Sequence, residues 1–226
     1  QSVIENKNKL ERAKASMEEF LANNPDDAYA CSKLGALYID LGKVSQGIQL
    51  LSKGVSVSGE NYDVLYELYY HLGIAYSRLK NHQQAVAHYQ AAIKLPIYPI
   101  LKLGAYNNLG NLLKEKGDFN GAKKAYETTF KIDPAFVNGY YNLGMTLKEM
   151  GLFKDSIAAY VKAIDLNPKY AQAYQNLGVV LLKVGYIDDS LVAFQEAIHL
   201  YEKQNNFVAA EQLKSGLKDM GLGEKL

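Results

Sequence analysis

Three asparagines recur in this 226-residue chain at a constant spacing of 34 residues, namely Asn108, Asn142 and Asn176. An asparagine side chain offers two N–H donors and one carbonyl acceptor. These groups match the alternating N–H and C=O groups of an extended peptide backbone. The residue type and its spacing therefore predict a row of amides that binds a polypeptide, not a site that makes or breaks covalent bonds.

Residue patterns that serve several kinds of catalysis are absent from the sequence. It contains no phosphate-binding loop of the form G-x-x-x-x-G-K-S/T and no H-E-x-x-H zinc motif. The histidines do not have metal-ligand spacing; they are His71, His82, His88 and His199. The single cysteine, Cys31, occupies an apolar position and is expected to pack in a core. We therefore expect a non-enzymatic protein with no cofactor and no metal site.

Composition excludes some partners. The net charge is +1, from 25 basic and 24 acidic residues, so no basic field attracts nucleic acid or an anionic membrane. No apolar run reaches the roughly 20 residues that span a membrane. One cysteine fits a reducing compartment, which favours a cytoplasmic location. The chain begins at Gln1 and not at Met, a feature that fits a truncated N-terminus.

A second periodicity explains what positions the asparagines. Leu-Gly pairs recur with glycines 38, 37, 34 and 34 residues apart, at Leu34-Gly35, Leu72-Gly73, Leu109-Gly110, Leu143-Gly144 and Leu177-Gly178. Self-similarity at such a period predicts a solenoid of stacked supersecondary units. A solenoid presents an extended concave surface and not a closed pocket.

Each unit reads as two helices when position 1 is placed six residues before the leucine. Position 4 is aromatic in four repeats, position 7 is leucine and position 11 is tyrosine or leucine, which together form one helical face. Position 15 is glycine in four repeats, where it ends a helix at low cost, and Lys80 in the other. Positions 20 and 27 are small and position 24 is bulky, as close helix packing requires.

This pattern resembles the tetratricopeptide repeat. The resemblance implies an all-α fold, a right-handed α-solenoid of stacked antiparallel helix pairs. Five full repeats are then expected at 28–61, 66–99, 103–136, 137–170 and 171–204. Residues 1–27 are expected to form a helix that is either a half repeat or a cap, and residues 205–221 a C-terminal capping helix. The longer spacings predict insertions at 56–61 and 95–100.

In the family that this chain resembles, the first helices line the concave groove with positions 2, 5, 6, 9, 12 and 13. Position 6 gives Lys33, His71, Asn108, Asn142 and Asn176, and position 5 includes Tyr70, Asn107, Tyr141 and Gln175. Position 9 includes Asn111, Met145 and Val179, and position 12 includes Lys114 and Lys148. The three asparagines resemble the asparagine ladder in the repeat arm of O-linked N-acetylglucosamine transferases. The carboxylate clamp of chaperone-binding members is not reproduced in three consecutive repeats.

Three hypotheses follow for the function. The first is a scaffold or adaptor that holds an extended peptide or a helix of a partner protein in the groove. The second is the substrate-docking arm of a larger enzyme, for instance a glycosyltransferase, whose catalytic domain would lie outside these residues. The third is a scaffold that associates with itself along its exposed edges.

Overall fold

The computed structural model describes residues 2–223 and the side chains of residues 8–223. This part of the chain forms twelve α-helices and one 3₁₀ helix, Pro99–Lys102, and it contains no strand. The α-helices are α1 (Ser2–Asn23), α2 (Ala28–Asp40), α3 (Val44–Val57), α4 (Tyr62–Arg78), α5 (His82–Lys94), α6 (Leu103–Glu115), α7 (Phe119–Ile132), α8 (Val137–Glu149), α9 (Phe153–Leu166), α10 (Ala171–Lys183), α11 (Ile187–Lys203) and α12 (Phe207–Asp219).

The helices form two compact units, residues 1–112 and 113–226. In unit 1, α2 packs on α3 and α4 on α5, while α3 also contacts α4. In unit 2, α8 packs on α9 and α10 on α11, while α9 also contacts α10. Successive first helices touch in both units, α2 with α4 and α8 with α10. The all-α class of stacked helix pairs is therefore confirmed.

A left-handed residue joins the two helices of a pair. Gly151 has a φ of 74°; its N–H donates to the carbonyl of Lys148 at 3.0 Å, and Leu152 donates to Leu147 at 2.9 Å. Glycine adopts this backbone without steric cost. Lys80 takes the same conformation with a φ of 58°, so the turn forms even in the repeat that lacks the glycine.

The paired helices approach closely at the glycines of four Leu-Gly pairs, Gly35, Gly73, Gly144 and Gly178. A Cβ added to Gly178 would lie 2.7 Å from the ring of Phe194, and one added to Gly73 would lie 2.5 Å from Tyr89. The same contact joins Gly144 with Tyr160 and Gly35 with Leu51. These partners are at most 2% exposed. Glycine at position 8 is thus what allows the bulky residue at position 24 to be buried.

The two insertions that lengthen the repeat spacing differ in structure: one extends a helix and the other extends a connection. The one expected at 56–61 lies instead at residues 62–65, which add a turn to the start of α4. The Asn61 side chain caps this turn by accepting a hydrogen bond from the Val64 N–H at 3.3 Å, so the helix starts early. The insertion expected at 95–100 lies in the connection between α5 and α6, which contains the 3₁₀ helix.

The last helix departs from the pattern at the glycine. Counting back from the turn at Gly221, position 8 of α12 is Lys214, whose ammonium lies 2.7 Å from Glu202 and 2.9 Å from Glu211. A lysine at this position leaves less room than glycine for the close approach of a second helix. The assignment of 205–221 as a capping helix stays a prediction. The division of the chain into repeats at the stated boundaries stays a prediction.

A substitution at a close-approach glycine should distinguish the effect of packing on stability from the effect of helix propensity. Gly178→Ala is expected to destabilise the protein by about 1–3 kcal/mol because the methyl group meets the Phe194 ring. Gly216→Ala is the matched control, since nothing lies within 4 Å of its added Cβ and alanine is the better helix former. Urea unfolding of both variants measures the free energy. Equal effects of the two substitutions would contradict this packing.

Two equivalent tyrosines differ in how their hydroxyl groups are satisfied. The Tyr126 hydroxyl hydrogen-bonds Thr146 at position 10 of the next repeat. The Tyr160 hydroxyl is buried; among the described residues Ser156 is the polar side chain beside it, and the two make no hydrogen bond of good geometry. Position 10 of its next repeat is Val180, which offers no polar atom. The replacement of a hydroxyl by a methyl group therefore accounts for the unpartnered oxygen.

Removing each hydroxyl should have opposite consequences. Tyr126→Phe is expected to cost about 1 kcal/mol because a buried hydrogen bond is lost. Tyr160→Phe is expected to leave the free energy of unfolding unchanged or to raise it by about 1 kcal/mol, since an unsatisfied buried group disappears. Thermal and urea unfolding of the two variants would decide between them. A larger loss for Tyr160→Phe than for Tyr126→Phe would show that Tyr160 has a partner.

Candidate functional site

The candidate residues of unit 1 lie on its first helices. Lys33 is on α2, Tyr70 and His71 are on α4, and Asn107, Asn108 and Asn111 are on α6. All six side chains are partly buried. Side chains three and four residues apart share a helical face, which places position 5 or 6 beside position 9 on each helix. The fold thus brings together polar groups that are about 35 residues apart in the sequence.

The charge of Lys33 is compensated within unit 1. Its ammonium forms an ion pair with the carboxylate of Glu67 on α4 and lies 5.0 Å from the centroid of the Tyr29 ring. The Ser32 hydroxyl also donates to Glu67 at 3.3 Å. Both partners of the ion pair are partly exposed, so its contribution to stability is small. An acidic ligand would have to compete with Glu67 for this lysine.

Tyr70 lies at the centre of an aromatic cluster. Its ring stacks on Tyr66 at 5.8 Å and meets the edge of His71 at 5.5 Å. Its hydroxyl accepts a hydrogen bond from the Asn108 amide nitrogen at 3.2 Å. Asn108 also hydrogen-bonds the hydroxyl of Tyr89. The amide of Asn108 is therefore held by two tyrosines that precede it in the sequence.

His71 is held as a neutral imidazole. Burial lowers its pKa, against the opposing effects of the Glu67 carbonyl and carboxylate. Its Nδ1 lies 2.7 Å from the Glu67 carbonyl oxygen, so Nδ1 carries the proton and donates. The other ring nitrogen, Nε2, is then a hydrogen-bond acceptor at neutral pH.

The candidate residues of unit 2 lie on the end of α6 and on the next two first helices. Lys114 is on α6, Tyr141, Asn142, Met145 and Lys148 are on α8, and Gln175, Asn176 and Val179 are on α10. Val179 is exposed and the others are partly buried. These candidate residues on the first helices, which we call the row, include polar amides, two lysines and an aromatic ring.

Asn176 uses both of its N–H groups inside the protein. Its amide nitrogen donates to the Tyr141 hydroxyl at 3.0 Å and to the Gln172 carbonyl at 3.0 Å. A carbonyl can only accept, so the amide nitrogen must face Gln172 and the orientation of the side chain is fixed. The Tyr141 ring is packed against Tyr170 at 4.8 Å. Burial raises the pKa of Tyr141, and the bond from Asn176 opposes that rise.

The same pairing occurs in each unit. A tyrosine at position 5 accepts from the asparagine at position 6 of the next repeat, Tyr70 from Asn108 and Tyr141 from Asn176. The asparagine is left with its carbonyl oxygen as an acceptor, and the tyrosine keeps its hydroxyl hydrogen as a donor. Each pair thus presents one donor and one acceptor, which is the complement of a single peptide group.

The lysines of unit 2 lie in a partly buried environment. Burial lowers the pKa of Lys114, Glu115 and Glu149 oppose this effect, and the charge of Lys148 adds to it. Lys148 lies 3.7 Å from Glu149. Elsewhere on this row, the Tyr201 hydroxyl donates to the side-chain oxygen of Gln175 at 2.6 Å.

The chemistry of the same residues does not favour a metal site or a reactive thiol. In the described part of the chain, no group of three or more His, Cys, Asp or Glu side chains is placed to hold a metal ion. No helix within residues 2–223 is long and apolar enough to cross a membrane. Cys31 is buried, and burial raises the pKa of its thiol, so a reactive thiolate is disfavoured.

Several residues of the site do not stand out in the sequence. Glu67 pairs with Lys33, Tyr66 stacks on Tyr70, and the Tyr170 ring packs at a tilt against Tyr141. Tyr66 is buried enough that its pKa rises to about 12. These contacts follow a constant rule between successive first helices: position 5 of one repeat lies beside position 6 of the next repeat. In the sequence, pairing each position 5 with position 6 of the next repeat identifies the tyrosine–asparagine pairs.

The sequence of this chain is similar to that of known repeat proteins. Models described as tetratricopeptide or TPR repeat match residues 66–96, 110–151, 147–185 and 171–212. A TPR repeat-containing protein of Synechococcus elongatus is 36% identical over 122 residues, which cover 54% of this chain and 30% of that relative. The match thus spans less than a third of the relative's length.

Solved structures share the fold at low sequence identity. MamA from Desulfovibrio magneticus RS-1 is 22% identical with a TM-score of 0.67, over 79% of this chain and 97% of that chain. BtubC from P. vanneervenii is 18% identical with a TM-score of 0.75, over 91% of this chain and 93% of its own. YrrB, titled a TPR protein with an unusual peptide-binding site, is 15% identical with a TM-score of 0.62, over 87% and 97%.

Protonation of His71 should weaken the fold. Because burial lowers its pKa, the unfolded chain binds more protons than the folded chain just below neutral pH. The free energy of unfolding is therefore expected to fall as the pH drops from 7.5 to 5. His71→Asn, which installs the residue found at position 6 in other repeats, should reduce that fall. Urea unfolding at both pH values measures it, with the exposed His199→Asn as a control that keeps the full dependence. An unchanged pH dependence in His71→Asn would contradict the assignment.

Proposed function

Because the chain belongs to the tetratricopeptide repeat family, we propose that it is a non-enzymatic interaction scaffold that holds an extended peptide segment of a partner protein. The segment would lie along the first helices of the repeats. It would contact positions 5, 6 and 9, where the polar and aromatic side chains described above lie together.

The observation that carries this proposal is the tyrosine–asparagine pair. It occurs once in unit 1 and once in unit 2, with donor–acceptor distances of 3.2 and 3.0 Å. A peptide N–H would donate to the asparagine oxygen, and a peptide carbonyl would accept from the tyrosine hydroxyl. Both protein groups are held by neighbours before binding, which reduces the entropy lost when a ligand docks.

Binding energy would come from the aromatic and apolar surfaces beside each pair. Tyrosines bury large areas with few rotatable bonds and keep a polar tip. In unit 2, Met145 and the exposed Val179 add apolar surface next to Tyr141 and Asn176. Hydrogen bonds to the peptide backbone would set the direction of the segment, while these side chains would select among sequences. Affinity near the micromolar range is expected, because a short extended segment pays its own ordering cost.

A selected peptide provides the test. A random peptide library displayed on phage is selected on the full chain, and the enriched peptide is synthesised with a fluorescein label. Tyr141→Phe and Asn176→Ala are each expected to weaken its binding by roughly fivefold, about 1 kcal/mol, because each removes one hydrogen bond. The corresponding substitutions Tyr70→Phe and Asn108→Ala test unit 1. Fluorescence anisotropy measures the dissociation constants.

The control is an asparagine outside the row. Asn120 is exposed on the second helix α7, so Asn120→Ala should not change binding. Circular dichroism and melting temperature check that each variant is folded. Selected peptides that bind all five variants as well as the original chain would place the binding surface elsewhere and reject the proposal.

A further inference from the structure

A second surface in unit 1 lies on the connections that precede α4 and α6. An open groove of about 690 Å³ is lined by residues 60–63, at the end of the first connection and the start of α4, and by residues 96–99 and 101 of the second connection. We call this the loop groove. None of the candidate residues on the first helices belongs to it. It is formed at the two places where the repeat spacing is longest.

The loop groove exposes more apolar surface than folding requires. Tyr98 is 79% exposed and Leu101 is 48% exposed, and Tyr62 on the opposite side is 38% exposed. A ring that is mostly in water contributes little to the core. Contiguous exposed apolar residues rimmed by polar ones are typical of surfaces that bind another molecule.

The segment that carries Tyr98 is stiff. Pro96 and Pro99 each fix one backbone angle, and Tyr98 between them is extended, with φ of −57° and ψ of 133°. The Leu101 N–H donates to the Tyr98 carbonyl at 3.1 Å, and the Ile97 N–H donates to the Leu95 carbonyl at 2.9 Å. The ring is therefore presented by an ordered connection, so that binding would cost little conformational entropy.

The charge of the loop groove is negative. Glu60 and Asp63 line it, and no lysine or arginine does. Within residues 8–223, neither carboxylate has a basic side chain within the 4 Å of an ion pair. Both are exposed, so they are hydrated in the free protein. Two unpaired carboxylates beside exposed tyrosine rings favour a cationic ligand.

Arginine matches this combination better than lysine does. A guanidinium is planar, stacks on an aromatic face and forms paired hydrogen bonds with a carboxylate. An aromatic-lined groove also accepts extended proline-containing chains, whose backbone is ordered before binding. We propose that the loop groove binds an extended, proline-containing segment of a partner protein through an arginine, with the side chain stacked on Tyr98 and paired with Glu60 or Asp63.

The test uses the full chain and a defined probe. The probe is a fluorescein-labelled peptide of sequence Pro-Pro-Arg-Pro-Pro-Arg-Pro-Pro, compared with the same peptide in which citrulline replaces arginine. Citrulline keeps the shape of arginine and removes its charge. We expect saturable binding of the arginine peptide, at least fivefold weaker binding of the citrulline peptide, and weaker binding in high salt because exposed charges are screened.

Two variants locate the site, and two others serve as controls. Tyr98→Ala and the double substitution Glu60→Gln with Asp63→Asn are each expected to weaken binding of the arginine peptide by roughly fivefold or more. Tyr186→Ala, which removes a ring that is 57% exposed in unit 2, is the matched control and should have no effect. Asn176→Ala should also have no effect, which separates this site from the row on the first helices.

Several results would overturn the proposal. They are the absence of saturable binding, equal affinity for the arginine and citrulline peptides, or unchanged binding in both Tyr98→Ala and the double variant. A monomer–dimer equilibrium that Tyr98→Ala abolishes, measured by analytical ultracentrifugation, would show that a second copy of this chain covers the loop groove instead.

Discussion

The contact on which the structure depends is that between a glycine of a first helix and the bulky side chain of its second helix. At Gly73, Gly144 and Gly178 no space remains for a methyl group, because the ring of Tyr89, Tyr160 or Phe194 lies on the helix backbone. The apolar side of each first helix packs against its own second helix at this glycine and against the preceding repeat. The remaining side is free to carry polar residues without loss of core packing.

Function can therefore vary on a constant scaffold. In each unit, the free side of the first helices carries a tyrosine that fixes the asparagine of the next repeat. The pair connects repeat stacking with recognition, since the hydrogen bond that orders the amide uses its N–H group and leaves its oxygen as the acceptor. Insertions between repeats are a second way in which a binding surface can arise. They add a turn at the start of α4 and lengthen the connection before α6, so a surface such as the loop groove can arise without a change in the glycine contacts of the helix pairs.

The sequence predicted the helix pairs well because their signal is local. Leucine, glycine and aromatic residues recur at fixed positions, and those positions follow from the helical period. The extra turn of α4 was not predicted, since it depends on the Asn61 cap. The tyrosine–asparagine pairs were also missed, although both residues were chosen as candidates. Their contact depends on the offset between successive first helices, which are about 35 residues apart and which no local pattern reveals.

The central claim is that peptide binding takes place on the first helices. Backbone amide chemical shifts of the ¹⁵N-labelled chain, recorded while the phage-selected peptide is added, test it most directly. The account predicts that the largest shifts cluster on α4 and α6 in unit 1 or on α8 and α10 in unit 2, around Tyr70, Asn108, Tyr141 and Asn176. Shifts that cluster on the second helices α9 and α11, with the first helices unchanged, would contradict it.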